Sequence, residues 1–522
     1  MKDLGDFQTP PALVAAVLNR LGPVGRQWRR VLEPTCGQGH FLAGLLALDP
    51  PPAEVRGVEI QKEHVRAARA LAGRAPANVS VGVTQGDIFA MDLRHTPAWT
   101  ESGPLLVVGN PPWVTSAALG VLGSGNGPAR RNVNGATGLE AKTGASNFDL
   151  AEAVWLKLLT ELVAVPATIA LLCKLSVARR VLERAAATSM AVASASLVRI
   201  DTRAWFDAAV EACLLCVTLG PGTQAGWERI PVFADLDATE PASFMGLARG
   251  RLVADIETYG PLAFADGACP LTWRQGLKHD AASVVELRRI DDVGTFCNRQ
   301  GEPVDVEPEH VYPWLKATDL ARRGDEALGR RPSRAVIVTQ RKVGDDTRPL
   351  ARSAPRLWGY LERHALALAA RKSSVYRGQP PYAMFGVGPY TFADWKVAVS
   401  GLHPSAVFRC LGPQGGRPVL LDDTCYFVAC RSPEQAALVA AVANLPRANA
   451  LLQALSFPGS KRPVTKALLQ RLDLRALFTH AEQSPLLARA GADVARLAGR
   501  AARWPDAPEE LLEAPTRFEA SD

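Results

Sequence analysis

No stretch of this 522-residue chain approaches the roughly 20 consecutive apolar residues that a membrane-spanning helix needs, so no membrane partner is expected. The opening MKDLGDFQTP lacks the basic and then apolar run of a signal peptide, which points to the cytoplasm. Nine cysteines, odd in number, are scattered mostly through apolar runs, and Cys213 and Cys216 form the sole C-x-x-C. Tetrahedral zinc needs four ligands, and on a strand those two thiols point to opposite faces, so no metal is expected. Core thiols of a reducing compartment are the better reading. Two nucleotide motifs each miss a glycine. Lys142-Thr143 resembles the end of a P-loop, but Ala141 stands at the required glycine and no strand precedes it. The turn Gly37-Gln38-Gly39 has Leu42 where a dinucleotide fingerprint wants a third glycine, which counts against NAD or FAD. No internal repeat is visible.

What is present is ordinary for a soluble globular protein: 48% hydrophobic and 21% charged residues. A formal net charge of +7 and a sequence pI near 9.0 suit a polyanionic partner. From residue 11 to about 220 short apolar strands alternate with helical stretches, the pattern of a doubly wound α/β sheet. That domain is assigned to residues 1–230. A Gly/Asn/Ser-rich stretch from Thr115 to Phe148 interrupts it and reads as a lid, a binding loop or a disordered segment. From 235 to 475 the regular alternation stops, and a strongly basic zone from Arg322 to Arg377 is interleaved with Trp358, Tyr360 and Tyr376. This reads as a second, mixed α+β domain, followed by a helical tail over 476–522. No further domain is left over for a fused nuclease.

The chemistry is expected at four strand ends. The first turn, Glu33-Pro34-Thr35-Cys36-Gly37-Gln38-Gly39-His40-Phe41, lets backbone approach a ligand closely. Glu59 ends the second strand, twenty residues beyond Gly39, where a carboxylate accepts from both hydroxyls of a ribose. Asp87, in Gly86-Asp87-Ile88-Phe89, suits the amine of an adenine. Together they outline an adenosine site without a pyrophosphate cradle, and S-adenosyl-L-methionine has that outline. The fourth strand, LLVVG, delivers Asn110-Pro111-Pro112-Trp113. An aromatic amine is a poor nucleophile because its lone pair is delocalised. The Asn110 oxygen and the Pro111 carbonyl can accept its two N–H bonds and aim the lone pair at a methyl donor, Pro111 and Pro112 stiffen the segment, and Trp113 can stack on the base.

These motifs, in the order Phe7 with Thr9-Pro10, EPTCGQGHF, GVEI, GDIF, NPPW and NFDLAEAVWLKLL, resemble the gamma class (TaqI-like) of amino-methylating DNA methyltransferases, specific for adenine N6. The resemblance implies a Rossmann-like class I methyltransferase sheet using S-adenosyl-L-methionine. It places Thr9, Thr35, Gly37 and Gly39 at the methionine part, Glu59 at the ribose, and Asp87 with Ile88 or Phe89 at the cofactor's adenine, with Ile60 and Asn110 also at the cofactor. Phe206 stands where that family often sets an aromatic against a flipped base; core packing explains it equally well. The resemblance makes residues 235–475 a target-recognition domain for double-stranded DNA, with Arg330, Arg331, Arg334, Arg341, Lys342, Lys461 and Arg462 as candidate contacts. A cognate restriction endonuclease or defence subunits would be partners. Other planar amines, in RNA bases, cytosine N4 or glutamine, fit the same tetrapeptide, and a non-catalytic DNA-binding subunit is a further reading.

Overall fold

The computed structural model describes residues 8–114, 149–207, 210–220, 225–291, 294–321, 333–457 and 462–513. The stretch from Thr115 to Phe148, with Lys142-Thr143 inside it, and Arg330, Arg331 and Lys461 lie outside these residues. The chain divides into two compact units, one running to Glu257 and one beginning at Thr258.

The first unit is built on one sheet of ten strands: β1 (Arg30–Glu33), β2 (Glu54–Glu59), β3 (Ser80–Gln85), β4 (Leu105–Gly109), β5 (Ala167–Lys174), β6 (Val192–Ile200), β7 (Ala212–Leu219), β8 (Ile230–Phe233), β9 (Ser243–Ala248) and β10 (Arg251–Val253). Across the sheet they lie in the order β10-β9-β8-β6-β7-β5-β4-β1-β2-β3. β1 to β5 are parallel, and β7 enters antiparallel between β5 and β6. The order 3-2-1-4-5-7-6 with a reversed seventh strand is the class I methyltransferase sheet, doubly wound as the sequence pattern predicts. Strands shielded on both faces read as continuous apolar runs, and every residue of β4 is buried.

The boundary expected at residue 230 falls short. β8 pairs parallel with β6, and the β9–β10 hairpin extends the same sheet, so the first unit reaches Glu257. A meander of short antiparallel strands lacks the βα alternation that marked the domain in the sequence, which is why the texture changes before the domain ends.

In the second unit the strands are short and mostly antiparallel. One sheet of six includes strand Val311–Leu315 beside strand Arg334–Ile337, and another, of four, centres on Trp395–Ser400 and Cys425–Cys430. The tail from 476 is not a separate element. Helix Gln483–Ala498 buries Leu486, Ala490 and Val494 and packs on helix Pro433–Ala443. Arg500 completes the contact with Glu434, Nη1 to Oε1 at 2.6 Å. Helix Pro433–Ala443 is buried at every position, which accounts for its apolar sequence. Among the described residues no single helix is long and apolar enough to cross a membrane.

Candidate active site

β1 and β4 lie side by side, but the chain leaves them toward opposite edges of the sheet. Ligands of such sheets bind in the crevice at the carboxyl ends of these two strands. A cavity of about 360 Å³ lies there, within the range of small-molecule sites. Four strand ends supply its walls: Glu33 to Gly37 after β1, Glu59 and Ile60 after β2, Gly86 to Phe89 after β3, and Asn110 to Trp113 after β4. Thr9 joins them from the segment before helix Pro11–Leu21.

Gly37 adopts φ 51° and donates its N–H to Glu59 Oε2 at 2.9 Å, while Glu59 Oε1 accepts from Gln61 N–H at 2.7 Å. A carboxylate has about four acceptor positions, so these bonds fix its orientation and leave capacity for a diol. Gly39, expected at the cofactor, is not on the cavity wall. It caps helix His40–Leu46 at φ 89°, and a Cβ there would sit 3.2 Å from Ala68 Cα. Its place is set by the turn and by close helix packing. Asp87 folds into its own turn, with Oδ1 accepting from Phe89 N–H at 2.9 Å.

Asn110 Nδ2 donates to Thr9 Oγ1 at 3.1 Å. That bond settles the amide's orientation and turns its acceptor oxygen away from Thr9. Thr9 is held in turn by His40, whose Nδ1–H donates to the Thr9 carbonyl at 2.7 Å; a carbonyl can only accept, so Nδ1 carries the hydrogen. Trp113 is 7% exposed, and its indole N–H reaches the Leu172 carbonyl at 3.3 Å. Phe206 meets it edge-on, with ring centroids 5.5 Å apart at 66°. Phe206 therefore braces Trp113 and does not itself line the cavity.

Sequence reasoning missed three contributors. Lys174, the last residue of β5, donates to the Trp113 carbonyl at 2.8 Å and to Asp149 Oδ2 at 2.7 Å. Asp149 also caps helix Leu150–Glu161 by accepting from Ala151 N–H at 3.1 Å. A cation ending an apolar strand, and the Asp-Leu that opens the helix, were the available signals. Glu33 is the third, 3% exposed, with Oε2 lacking a hydrogen-bond partner among the described residues. Burial holds its carboxyl well above the usual carboxylate range, and the nearby Glu59 charge adds to the shift against an opposing backbone hydrogen bond at Leu42.

The sign of the Glu33 effect follows by linkage. Between the ordinary carboxylate pKa and the raised one, the unfolded chain has lost a proton that the folded chain keeps. Stability contributed by neutral Glu33 is complete below the ordinary pKa and is lost as pH rises through the raised one, at up to about 1.4 kcal/mol per pH unit. Glu33→Gln should flatten that slope when urea midpoints are compared from pH 5 to 9; an unchanged slope would remove Glu33 as its source.

Two predicted DNA contacts in the second unit are committed internally. Arg334 Nη2 pairs with Asp319 Oδ1, a carboxylate 6% exposed. Arg462 donates to the Asp423 carbonyl at 2.6 Å and pairs with its carboxylate at 3.3 Å. Each guanidinium is thus partly engaged by an acid of its own fold, which reduces the net charge it offers. Arg341 and Lys342 are exposed.

No protein-family model matches the chain. The type II methyltransferase M.NspV of Nostoc sp. is 32% identical over 482 residues, covering 91% of this chain and 97% of that protein. The chain belongs to the type II restriction-modification methyltransferases. Solved structures with weaker likeness include the type IIL restriction-modification enzyme MmeI in complex with DNA, at TM-score 0.48 and 11% identity over 96% of this chain and 74% of that one. The type IIG restriction endonuclease BpuSI follows at TM-score 0.34 and 12% identity, over 98% and 64%. S-adenosyl-L-methionine is the cofactor of this type II methyltransferase. The cavity fits it: Glu33 Oε2 and Thr35 Oγ1 are buried polar atoms without partners among the described residues, suited to a charged amine end, and the Glu59 carboxylate is suited to a ribose.

Proposed function

We propose that this type II methyltransferase is a site-specific DNA adenine N6-methyltransferase that acts on a base flipped out of the duplex. The observation that carries this reading is the placement of Asn110-Pro111-Pro112-Trp113 on the wall of the same cavity as Glu59 and Asp87, with the Asn110 amide oriented by Thr9. S-adenosyl-L-methionine supplies a methyl group carried on a sulfonium sulfur. Thr9, Thr35, Gly37 and Glu33 hold its methionine end, Glu59 and Ile60 its ribose, and Asp87 with Ile88 its adenine ring. Asn110 Oδ1 and the Pro111 carbonyl accept the two N–H bonds of the target amine and draw its nitrogen toward tetrahedral geometry. The nitrogen sheds its proton after transfer, so no residue must act as a base beforehand. Pro111 and Pro112 keep the acceptors aimed, and Trp113, braced by Phe206, provides a face for the base, an interaction worth about 1 to 3 kcal/mol. A duplex hides the amine, so the base must leave the stack.

In this reading the second unit binds double-stranded DNA, the protein works in the cytoplasm, and a cognate restriction endonuclease or defence subunits share its target site. The direct test incubates the protein with methyl-labelled S-adenosyl-L-methionine and duplex DNA of mixed sequence, then identifies the labelled nucleoside. N6-methyladenosine in its deoxy form is the expected product. Label in cytosine N4 would change the target base, and label confined to RNA or protein would reject DNA as substrate.

A further inference from the structure

The basic zone of the second unit is less available than its composition suggests. Arg334 pairs with Asp319, Arg348 with Asp346, and Arg356 with Asp305 and Glu307. Arg341 differs: it is exposed, and no carboxylate pairs with its guanidinium among the described residues. That guanidinium lies 4.4 Å from the Phe392 ring centroid and 5.7 Å from that of Tyr312. The two rings pack on each other at 5.3 Å.

The loop after strand Arg334–Ile337 that carries Arg341 is fixed from both sides. Asp345 Oδ2 accepts from the backbone N–H of Arg341 at 3.1 Å and of Lys342 at 2.8 Å. Gln340 Nε2 donates to the Asp345 carbonyl at 2.7 Å, and Gln340 Oε1 accepts from Met384 N–H at 2.7 Å. Gly344, at φ 87°, supplies the left-handed residue that closes the turn, and Val343 stands 40% exposed beside it. A cavity of about 330 Å³ opens at this loop, lined by Arg341, Gln340, Tyr312 and Phe392 and by the carboxylates Asp345 and Asp346.

A guanidinium over an aromatic ring keeps its charge and loses little freedom when it forms two parallel hydrogen bonds. The Asp345 carboxylate on the same cavity wall, bonded only to backbone N–H groups, weighs against a second anion there, whereas a neutral base edge meets no such repulsion. We propose that Arg341 is a specificity-determining residue, which donates to the O6 and N7 acceptors of a guanine in the major groove of the target site. The proposal rests on the DNA-methyltransferase reading above.

The test first maps the methylated site of the wild-type protein on a randomised duplex library. It then measures kcat/KM for Arg341→Ala, Arg341→Lys and Lys342→Ala on that site and on its single-base variants. Arg341→Ala should lower kcat/KM at the cognate site roughly 10- to 100-fold and abolish discrimination at one G·C position only. Arg341→Lys, which keeps the charge but not the two-pronged geometry, should restore DNA affinity and not that discrimination. Cofactor affinity should be unchanged in both, and urea midpoints matching the wild type report that the second unit, which carries Arg341, is folded. A uniform loss across all sequences, with a shallower salt dependence, would make Arg341 a phosphate contact and overturn the inference. Unaltered site preference in Arg341→Ala would overturn it alone. A wild-type protein that methylates no DNA would overturn the underlying reading, and this inference with it.

Discussion

Asn110→Ala should lower the rate of methyl transfer by about 10² to 10³-fold while leaving S-adenosyl-L-methionine affinity within a few-fold, a loss of roughly 3 to 4 kcal/mol of transition-state stabilisation for one polar group aimed at the reacting atom. The residue carries an oriented acceptor. Thr9 Oγ1 takes the amide N–H at 3.1 Å, and His40 holds the Thr9 carbonyl, so the oxygen's direction is set by two residues from two other parts of the chain. Asn110→Asp keeps the oxygens but removes the N–H that Thr9 receives, and Thr9→Val removes the receiving oxygen; both should cost less than the alanine change. Single-turnover transfer measured beside cofactor titration separates these effects. Equal losses in cofactor binding and in turnover would place Asn110 in the cofactor site instead of at the target amine.

Lys174→Met should destabilise the first unit by about 3 kcal/mol, the lower end of the range for breaking a buried ion pair. Asp149 is 5% exposed at its side chain and Lys174 is 23% exposed, so removing the ammonium strands a carboxylate that water reaches poorly. The same ammonium grips the Trp113 carbonyl. Turnover should therefore fall even at temperatures where the variant remains folded, because the end of the Asn110–Trp113 segment is released. Adding Asp149→Asn to Lys174→Met should recover much of the stability, since a neutral amide can keep the cap on Ala151 N–H without a buried charge. Urea midpoints of the single and double variants check this. If the double variant is no more stable than Lys174→Met, the ion pair is not what the lysine supports.

The sequence alone determined the parallel part of the first sheet and which strand ends meet at its cavity, because parallel strands in a doubly wound sheet bring their carboxyl ends to one edge. Motifs spaced along the first 113 residues had to converge, and Glu59, Asp87 and Asn110 do so. It was also legible that Trp113 would matter, since an aromatic straight after two prolines at the end of a fully buried strand has few places to go.

Only the tertiary structure decided which groups hold that cavity in shape and which charges are free to act outside it. Lys174 meets Trp113 because β5 lies beside β4, a pairing across 61 residues that no local pattern specifies. Thr9 and Asn110 meet across 101 residues. Gly39 looked like a ligand contact by spacing and turned out to be a packing glycine, because the neighbouring helix at Ala68 occupies the space a side chain would need. In the second unit the arginines were countable from the sequence, but their availability was not. Arg334 and Arg462 are partly engaged by Asp319 and Asp423, whereas Arg341 lies over an aromatic ring. A charge's role depends on the nearest opposite charge in space, and in a unit of short strands joined by long connections that neighbour is set by the fold.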